Sequence, residues 1–313
     1  MPFPAAIIIP TWNRAHLIAR AVEAALAQSH PDRIVIVVDD GSRDATADTL
    51  GPYMSQPDFV YARLARNSGT AMAKNVGILL AGDRAVTFHD SDDLPHRDKV
   101  LRQAMVLDQD DIGAHPCLNW ALAGQTPGSR LRIGAVLSHH DLILPDGRRV
   151  TISRELSLVD DMFPNLQMGS DVPGDWTHVN SGLFHPALFA RLGGFLDCIE
   201  EDREFRNRII LSGEIVWIIR EPLLTKIETA DSLTQSRATD YDSDKRRADR
   251  HLVWQRAEDW LRNREVQPVA IDLGDLAIAG ISNPARLAPS PALATAQTRD
   301  MIRHAIRHGG RDA

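Results

Sequence analysis

Ala85-Val86-Thr87-Phe88-His89-Asp90-Ser91-Asp92-Asp93 joins a short apolar run to three carboxylates. A strand ending in Asp-x-Asp carries its acidic groups to the carboxyl edge of a sheet, where open α/β folds bind their ligands. Hard oxygen donors there suit Mg²⁺ or Mn²⁺, which usually takes one or two protein carboxylates and completes its shell with phosphate and water. The stretch predicts a metal-bridged nucleoside diphosphate, whereas the same triplet in isolation reads as a solvated turn. The flanking sequence decides between these.

Upstream, strand and helix signals alternate. Residues 5–9, Ala-Ala-Ile-Ile-Ile, form a continuous apolar run stopped by Pro10, as expected of a strand buried on both faces. Asn13 is the expected N-cap of a helix in which Leu17, Ile18, Val22, Ala25 and Leu26 recur at helical spacing. Residues 34–38 read as a second buried strand, closed by Asp39-Asp40-Gly41-Ser42. A helix over 46–50, a strand over 59–62, a helix over 70–80 opened by Asn67-Ser68-Gly69, and a strand over 85–88 follow. This β-α-β-α order predicts an α/β fold, a doubly wound and mostly parallel sheet with Thr11, Asp39 and Asp92 collected on one edge. Toward the C-terminus, Leu252, Val253, Ala257, Trp260 and Leu261 predict an amphipathic helix that packs on the domain or mediates a homodimer. Residues 284–296 read as a loose linker and 298–308 as a short basic helix, whose end is solvated or touches a partner or an acidic lipid surface.

Composition narrows the classes. The 313 residues are 43% hydrophobic and 25% charged, which excludes disorder for most of the chain. A net charge of −7 offers no broad cationic face for nucleic acid. Cys117 and Cys198 are the two cysteines, too few and too far apart for a disulfide framework or a cysteine zinc site. Met1-Pro2-Phe3-Pro4 lacks a basic leader, and no apolar run reaches about 18 residues, so no membrane span is expected. A cytoplasmic protein, at most peripheral at the inner membrane face, fits these features. No G-x-G-x-x-G follows the first strand and no P-loop is present, which disfavours a dinucleotide site. Ser91 and Ser181 lack the G-x-S-x-G setting of a hydrolase. The adjacent His139 and His140 point to opposite faces of a strand and are poorly placed to chelate one ion.

Of Asp39 and Asp40, one is expected to accept a hydrogen bond from a nucleobase and the other to cap the turn. Lys74, one turn into the helix behind Asn67-Ser68-Gly69, can approach a phosphate or a base edge. Residues 7–14 (Ile-Ile-Ile-Pro-Thr-Trp-Asn-Arg), Val37-Val38-Asp39-Asp40-Gly41-Ser42, Asn67-Ser68-Gly69, Lys74-Asn75 and Asp90-Ser91-Asp92-Asp93 resemble, in order and spacing, the family 2 glycosyltransferases of GT-A fold. The likeness extends through 133–150, Asn180-Ser181-Gly182-Leu183-Phe184, Gly193-Gly194-Phe195 and Glu201-Asp202, to about Ser236.

The resemblance implies an inverting, metal-dependent transfer from a nucleotide sugar, UDP favoured, to a hydroxyl of a glycan, a lipid-linked or a small-molecule acceptor. It implies a GT-A domain over 1–236, with a nucleotide half over 1–107 and an acceptor half over 108–236, and a helical extension over 237–313. It assigns Pro10, Thr11, Asn13, Arg14, Asp39, Asn67, Lys74, Asp90 and Ser91 to the nucleotide and Asp92 to Mn²⁺ or Mg²⁺. Trp176, Asn180, Ser181, Gly182 and Glu201 fall to the acceptor, and Asp202 is the general base. Trp176 serves as a stacking platform for a sugar or as a core residue, and Glu201-Asp202 equally suits a helix N-terminus without catalysis. Two features depart from the family pattern: Lys74 stands where many members carry arginine, and the segment from Lys226 to Thr234 lacks the histidine that many members place there. A catalytically silent nucleotide-binding or scaffold homologue and a sugar-phosphate nucleotidyltransferase are the alternatives.

Overall fold

The structure, a computed structural model, describes residues 2–108, 133–153, 179–212, 214–227, 243–288 and 292–309. Strands β1 (Ala5–Thr11), β2 (Arg33–Asp39), β3 (Phe59–Leu64) and β4 (Ala85–Phe88) run parallel in the spatial order β3-β2-β1-β4. Their apolar runs are unbroken because both faces are covered. Ala6 and Ile8 of β1 face a core shared with the Thr70–Ala81 helix, while Ala5, Ile7 and Ile9 face one shared with the Ile18–Leu26 and Lys99–Leu107 helices. Gly77 permits the close helix–sheet approach: a Cβ there would lie 2.4 Å from Ile8 Cγ2.

Two local expectations are corrected at the end of β1. The strand runs through Pro10 to Thr11, opposite Val38 and Asp39, since one missing N–H near a strand end removes a donor without ending the ladder. Asn13 is not the N-cap of the following helix, which is preceded by Leu17. It adopts a left-handed backbone with φ 53°, its N–H donating to Ser42 Oγ (2.9 Å) and its Oδ1 accepting from the Arg43 N–H (2.8 Å). The side chain is thereby committed to the loop behind β2.

The rest of the chain extends the same sheet. Strands β5 (Leu94–Pro95), β6 (Ile133–Ile143), β7 (Arg149–Ile152), β8 (Leu183–Phe184) and β9 (Ile215–Ile227) build the second half: β8 joins β4 to β6 antiparallel, β9 pairs β6 in parallel, and β5 closes the edge antiparallel to β9. Strand β7 hangs from β6 as a hairpin. Strand β10 (Ile278–Ile281) adds antiparallel to β3, so the C-terminal extension contributes a strand as well as its helices Asp244–Asn263 and Ala296–His308. The sheet order is β10-β3-β2-β1-β4-β8-β6-β9-β5.

Where it is described, the stretch read as a loose linker is tied down. Ala292 and Ala294 are buried, Leu293 N–H donates to Phe189 O at 3.0 Å, and Ile271 bridges Ala294. Small apolar residues resemble linker composition but also fit narrow gaps against a core. Just beyond β10, Ser282 exchanges two hydrogen bonds with the Tyr61 backbone, both 2.8 Å. Asn283 shares its side-chain amide among the carbonyls of Met54, Gln56 and Phe59 at 2.9, 3.1 and 2.8 Å. Replacing Asn283 by Ala strips those acceptors and forces a Cβ residue with no local side-chain bond into φ 47°; it should cost about 1–3 kcal/mol, seen as a lower urea midpoint at unchanged slope.

Candidate active site

The carboxylates that follow β4 converge. Oxygens of Asp90, Asp92 and Asp93 lie within 4.8 Å of one another, a set of hard donors that fits a divalent cation. Asp93 is fully buried; its Oδ2 accepts from the Asp90 N–H (3.2 Å) and Asn180 Nδ2 (3.0 Å), while its Oδ1 accepts no hydrogen bond. Lys226, near the end of β9, brings its ammonium to 3.4 Å from Asp90 Oδ2 and 3.6 Å from Asp93 Oδ1. Burial pushes the Asp93 carboxyl up to about 6. Burial acts on Asp90 in the same sense, but Lys226 and Lys74 outweigh it and hold that carboxyl below the usual range. Burial and the neighbouring Asp90 push Asp92 up, with Lys226 and Arg14 opposing. Behind the cluster, Lys99 is fully buried and donates to Thr87 Oγ1 at 2.7 Å, its pKa brought down to about 7 by burial in spite of Asp93. Burial, then Lys99, keeps the adjacent His89 imidazole neutral.

On the β1–β2 side, each oxygen of the buried Asp39 is engaged: Oδ1 accepts from the Ser42 N–H (2.8 Å) and Oδ2 from the Tyr61 hydroxyl (2.6 Å). Asp40 accepts from the N–H groups of Ser68 (2.7 Å) and Gly69 (2.8 Å), which anchors the loop ahead of the Thr70–Ala81 helix. Both aspartates therefore bind loop backbone, whereas one alone was expected to. Asn67 in that loop is exposed, and Ser91 is buried. Thr11 is buried at the end of β1, its Oγ1 without a hydrogen-bond partner, and Pro10 is half-buried beside it. Arg14 donates its N–H to Thr46 Oγ1 at 3.1 Å.

Lys74 crosses from the first half to the second. Its ammonium pairs with Glu201 Oε1 at 3.0 Å and lies 5.0 Å from the Phe195 ring centroid. Burial opposes that charge, yet Glu201, then Asp90 and Asp202, more than compensate and hold the Lys74 pKa above the ordinary value. Asp202, in the first turn of the Glu201–Leu211 helix, is half-buried, with Oδ1 accepting from the Arg203 N–H at 2.7 Å. The residues around it are clamped by the Asp244–Asn263 helix. Glu200 receives Arg203 (2.9 Å), Arg246 (3.2 Å) and Arg250 (3.3 Å); Glu204 receives Arg208 (2.7 Å) and Arg256 (3.3 Å); and Ile199 N–H donates to Asp249 Oδ2 at 2.8 Å. The C-terminal helix thus packs on the domain.

Of the residues expected at an acceptor, Asn180 joins the acidic cluster through Asp93 and Glu201 pairs with Lys74. Ser181 is fully buried, its carbonyl accepting from Gln103 Nε2 at 2.6 Å, and Gly182 packs so closely that a Cβ would lie 2.7 Å from Leu137 Cδ2. Trp176 lies outside the described residues. Lys226 and the Glu200–Glu204 clamp belong to no sequence motif. A compositional signal does exist for the lysines: only four of the 35 basic residues are Lys, and Lys74, Lys99 and Lys226 all act on Asp90 or Asp93.

The model of the family described as glycosyl transferase family 2 matches residues 6–131. A putative teichuronic acid biosynthesis glycosyltransferase of Bacillus subtilis is 39% identical over 31% of this chain and 39% of its own length. An uncharacterized glycosyltransferase of Nostoc sp. is 34% identical over 34% of this chain and 33% of its own length. The match therefore spans well under half of these relatives. Among solved structures, residues 1–349 of S. aureus TarS in complex with UDP-GlcNAc superpose with TM-score 0.51 at 18% identity, covering 73% of this chain and 60% of that one. The Pyrobaculum calidifontis mannosyltransferase PcManGT, in complex with GDP-Man and Mn²⁺, gives 0.50 at 21% identity, covering 86% and 66%. At these identities the likeness carries the fold, which is GT-A.

Substituting Glu204 by Gln leaves the fully buried Arg208 without its counter-charge and should destabilise the protein by about 3–5 kcal/mol in urea unfolding. Asp40 supplies a pH signature. Burial, against the two N–H groups it accepts and with Asp39 adding to the rise, pushes its carboxyl up to about 6, so the folded state binds the extra proton. Its contribution to stability should be complete below about pH 4 and be lost as pH rises through 6; unfolding midpoints of wild type and Asp40→Asn across that window should diverge accordingly.

Proposed function

We propose that this chain, whose residues 6–131 are a glycosyl transferase family 2 domain, transfers a sugar with inversion from a nucleoside diphosphate sugar to an acceptor hydroxyl. The observation that carries the reading is the convergence on Lys74: one buried ammonium is influenced by Glu201, by Asp90 of the diphosphate cluster and by Asp202 of the base candidate. An in-line displacement needs two such acidic sites, one at the leaving diphosphate and one on the opposite side to take the acceptor proton.

In this reading residues 1–107 bind the donor, 108–236 receive the acceptor, and 237–313 brace the second part. Asp39 accepts from the base through a lone pair beyond those taken by the Ser42 N–H and the Tyr61 hydroxyl, with Pro10, Thr11, Asn13, Arg14, Asn67 and Ser91 around the nucleotide. Asp90, Asp92 and Asp93 would hold Mn²⁺ or Mg²⁺, which when bound stabilises negative charge on the departing diphosphate. Asp202, half-buried on a helix whose flanking carboxylates are pinned by arginines, is oriented and reachable; its Oδ2 takes the acceptor proton as the hydroxyl oxygen closes on the anomeric carbon. UDP is the favoured carrier. The domain match and the GT-A fold support the donor class, and the cluster of hard oxygen donors supports the ion. Asp202→Asn should bind UDP as the wild type does in calorimetric titration and lose transfer by about 10²–10⁴-fold, the usual weight of a general base; near-normal transfer by that variant would remove Asp202 from the role.

A further inference from the structure

We propose that Lys226 is a built-in cation of the diphosphate site: it holds the Asp90 and Asp93 carboxylates together without a divalent ion and competes with that ion for the same oxygens. The inference deepens the ion-binding part of the reading above and does not depend on sugar transfer.

Three observations carry it. First, the ammonium lies 3.4 Å from Asp90 Oδ2 and 3.6 Å from Asp93 Oδ1, against two members of the group whose oxygens fall within 4.8 Å of one another. A divalent ion taking those oxygens meets the lysine charge at close range and is repelled by it. Second, Asp93 Oδ1 is buried and accepts no hydrogen bond, so the lysine charge is the attraction that compensates it in this arrangement. Third, the chain uses arginine for most of its cationic work, and three of its four lysines, Lys226 among them, act on this acidic cluster. An ammonium is a compact, strongly hydrated point charge with no planar fork, closer to a metal ion in shape than a guanidinium is.

The experiment is calorimetric titration of Mn²⁺ alone, without nucleotide, into wild type, Lys226→Met, Lys226→Arg and the double variant Lys226→Met/Asp92→Asn, each checked for a cooperative thermal transition. Lys226→Met should bind Mn²⁺ tighter by at least about tenfold, a change of roughly 1.4 kcal/mol. A gain in affinity cannot come from a damaged fold. Lys226→Arg, which keeps the charge, should stay near wild type, and the double variant should lose the gain. Unchanged or weaker binding in Lys226→Met, tighter binding that survives Asp92→Asn, or no Mn²⁺ binding by any variant would each overturn the proposal. Because no donor is present, a failure here is separate from a failure of transfer, which the Asp202→Asn comparison reads.

Discussion

Carboxylates gathered after β4 repel one another, and the chain offsets that repulsion with lysines drawn from three distant places: the Thr70–Ala81 helix, the Lys99–Leu107 helix and the end of β9. This balance of charge determines much else. The cluster can be partly buried only where the cations reach it, which requires β9 to lie beside β6 and the helix carrying Lys74 to lie against β1. It also explains why acids of the same sequence tetrad differ, with Asp90 held low and Asp92 and Asp93 pushed up.

The second charge network welds the halves of the molecule. Glu200, Glu201 and Glu204 crowd one helix start, where the dipole favours them by only about 0.3–1 kcal/mol each at exposed sites. Buried carboxylates need more than that, and they receive Lys74 from one side and Arg246, Arg250 and Arg256 from the other. Asp202 stands among them with its backbone fixed at both ends, while its own side chain is spared from any such pair among the described residues. Rigid surroundings and a carboxylate outside any ion pair among the described residues are compatible because the neighbours in sequence carry the restraint.

What could be read from residue order was local. The apolar runs at 5–9, 34–38 and 85–88 identify β1, β2 and β4 because both-face burial leaves no polar alternation to confuse the pattern, and the Thr70–Ala81 helix follows from Gly69 and its spacing. The succession of motifs singled out Lys74, Asp90, Glu201 and Asp202 one by one, and in the fold the three acids all act on the Lys74 ammonium. Lys226 was not singled out, since it lies 136 residues from Asp90 and no short-range pattern links them. Asn13 misled because a small polar residue before a helix suits both an N-cap and a left-handed turn, and here the Ser42–Arg43 loop captured it. Strand β10 was hidden for a similar reason: Ile278-Ala279-Gly280-Ile281 is too short and weakly patterned to announce a strand until β3 offers it an edge.

That last strand bears on how the molecule is made. Tyr61 and Ser282 are 221 positions apart, yet Ser282 is bonded to the Tyr61 backbone and the Tyr61 hydroxyl to Asp39. On the ribosome, at roughly 5–20 residues per second, the N-terminal strands emerge and collapse well before β10 exists. For that interval β3 presents an unpaired edge able to recruit a neighbouring nascent chain. Strand β10 thus acts as a lock that closes late, and the Ser282–Tyr61–Asp39 chain of hydrogen bonds is completed only once it has arrived.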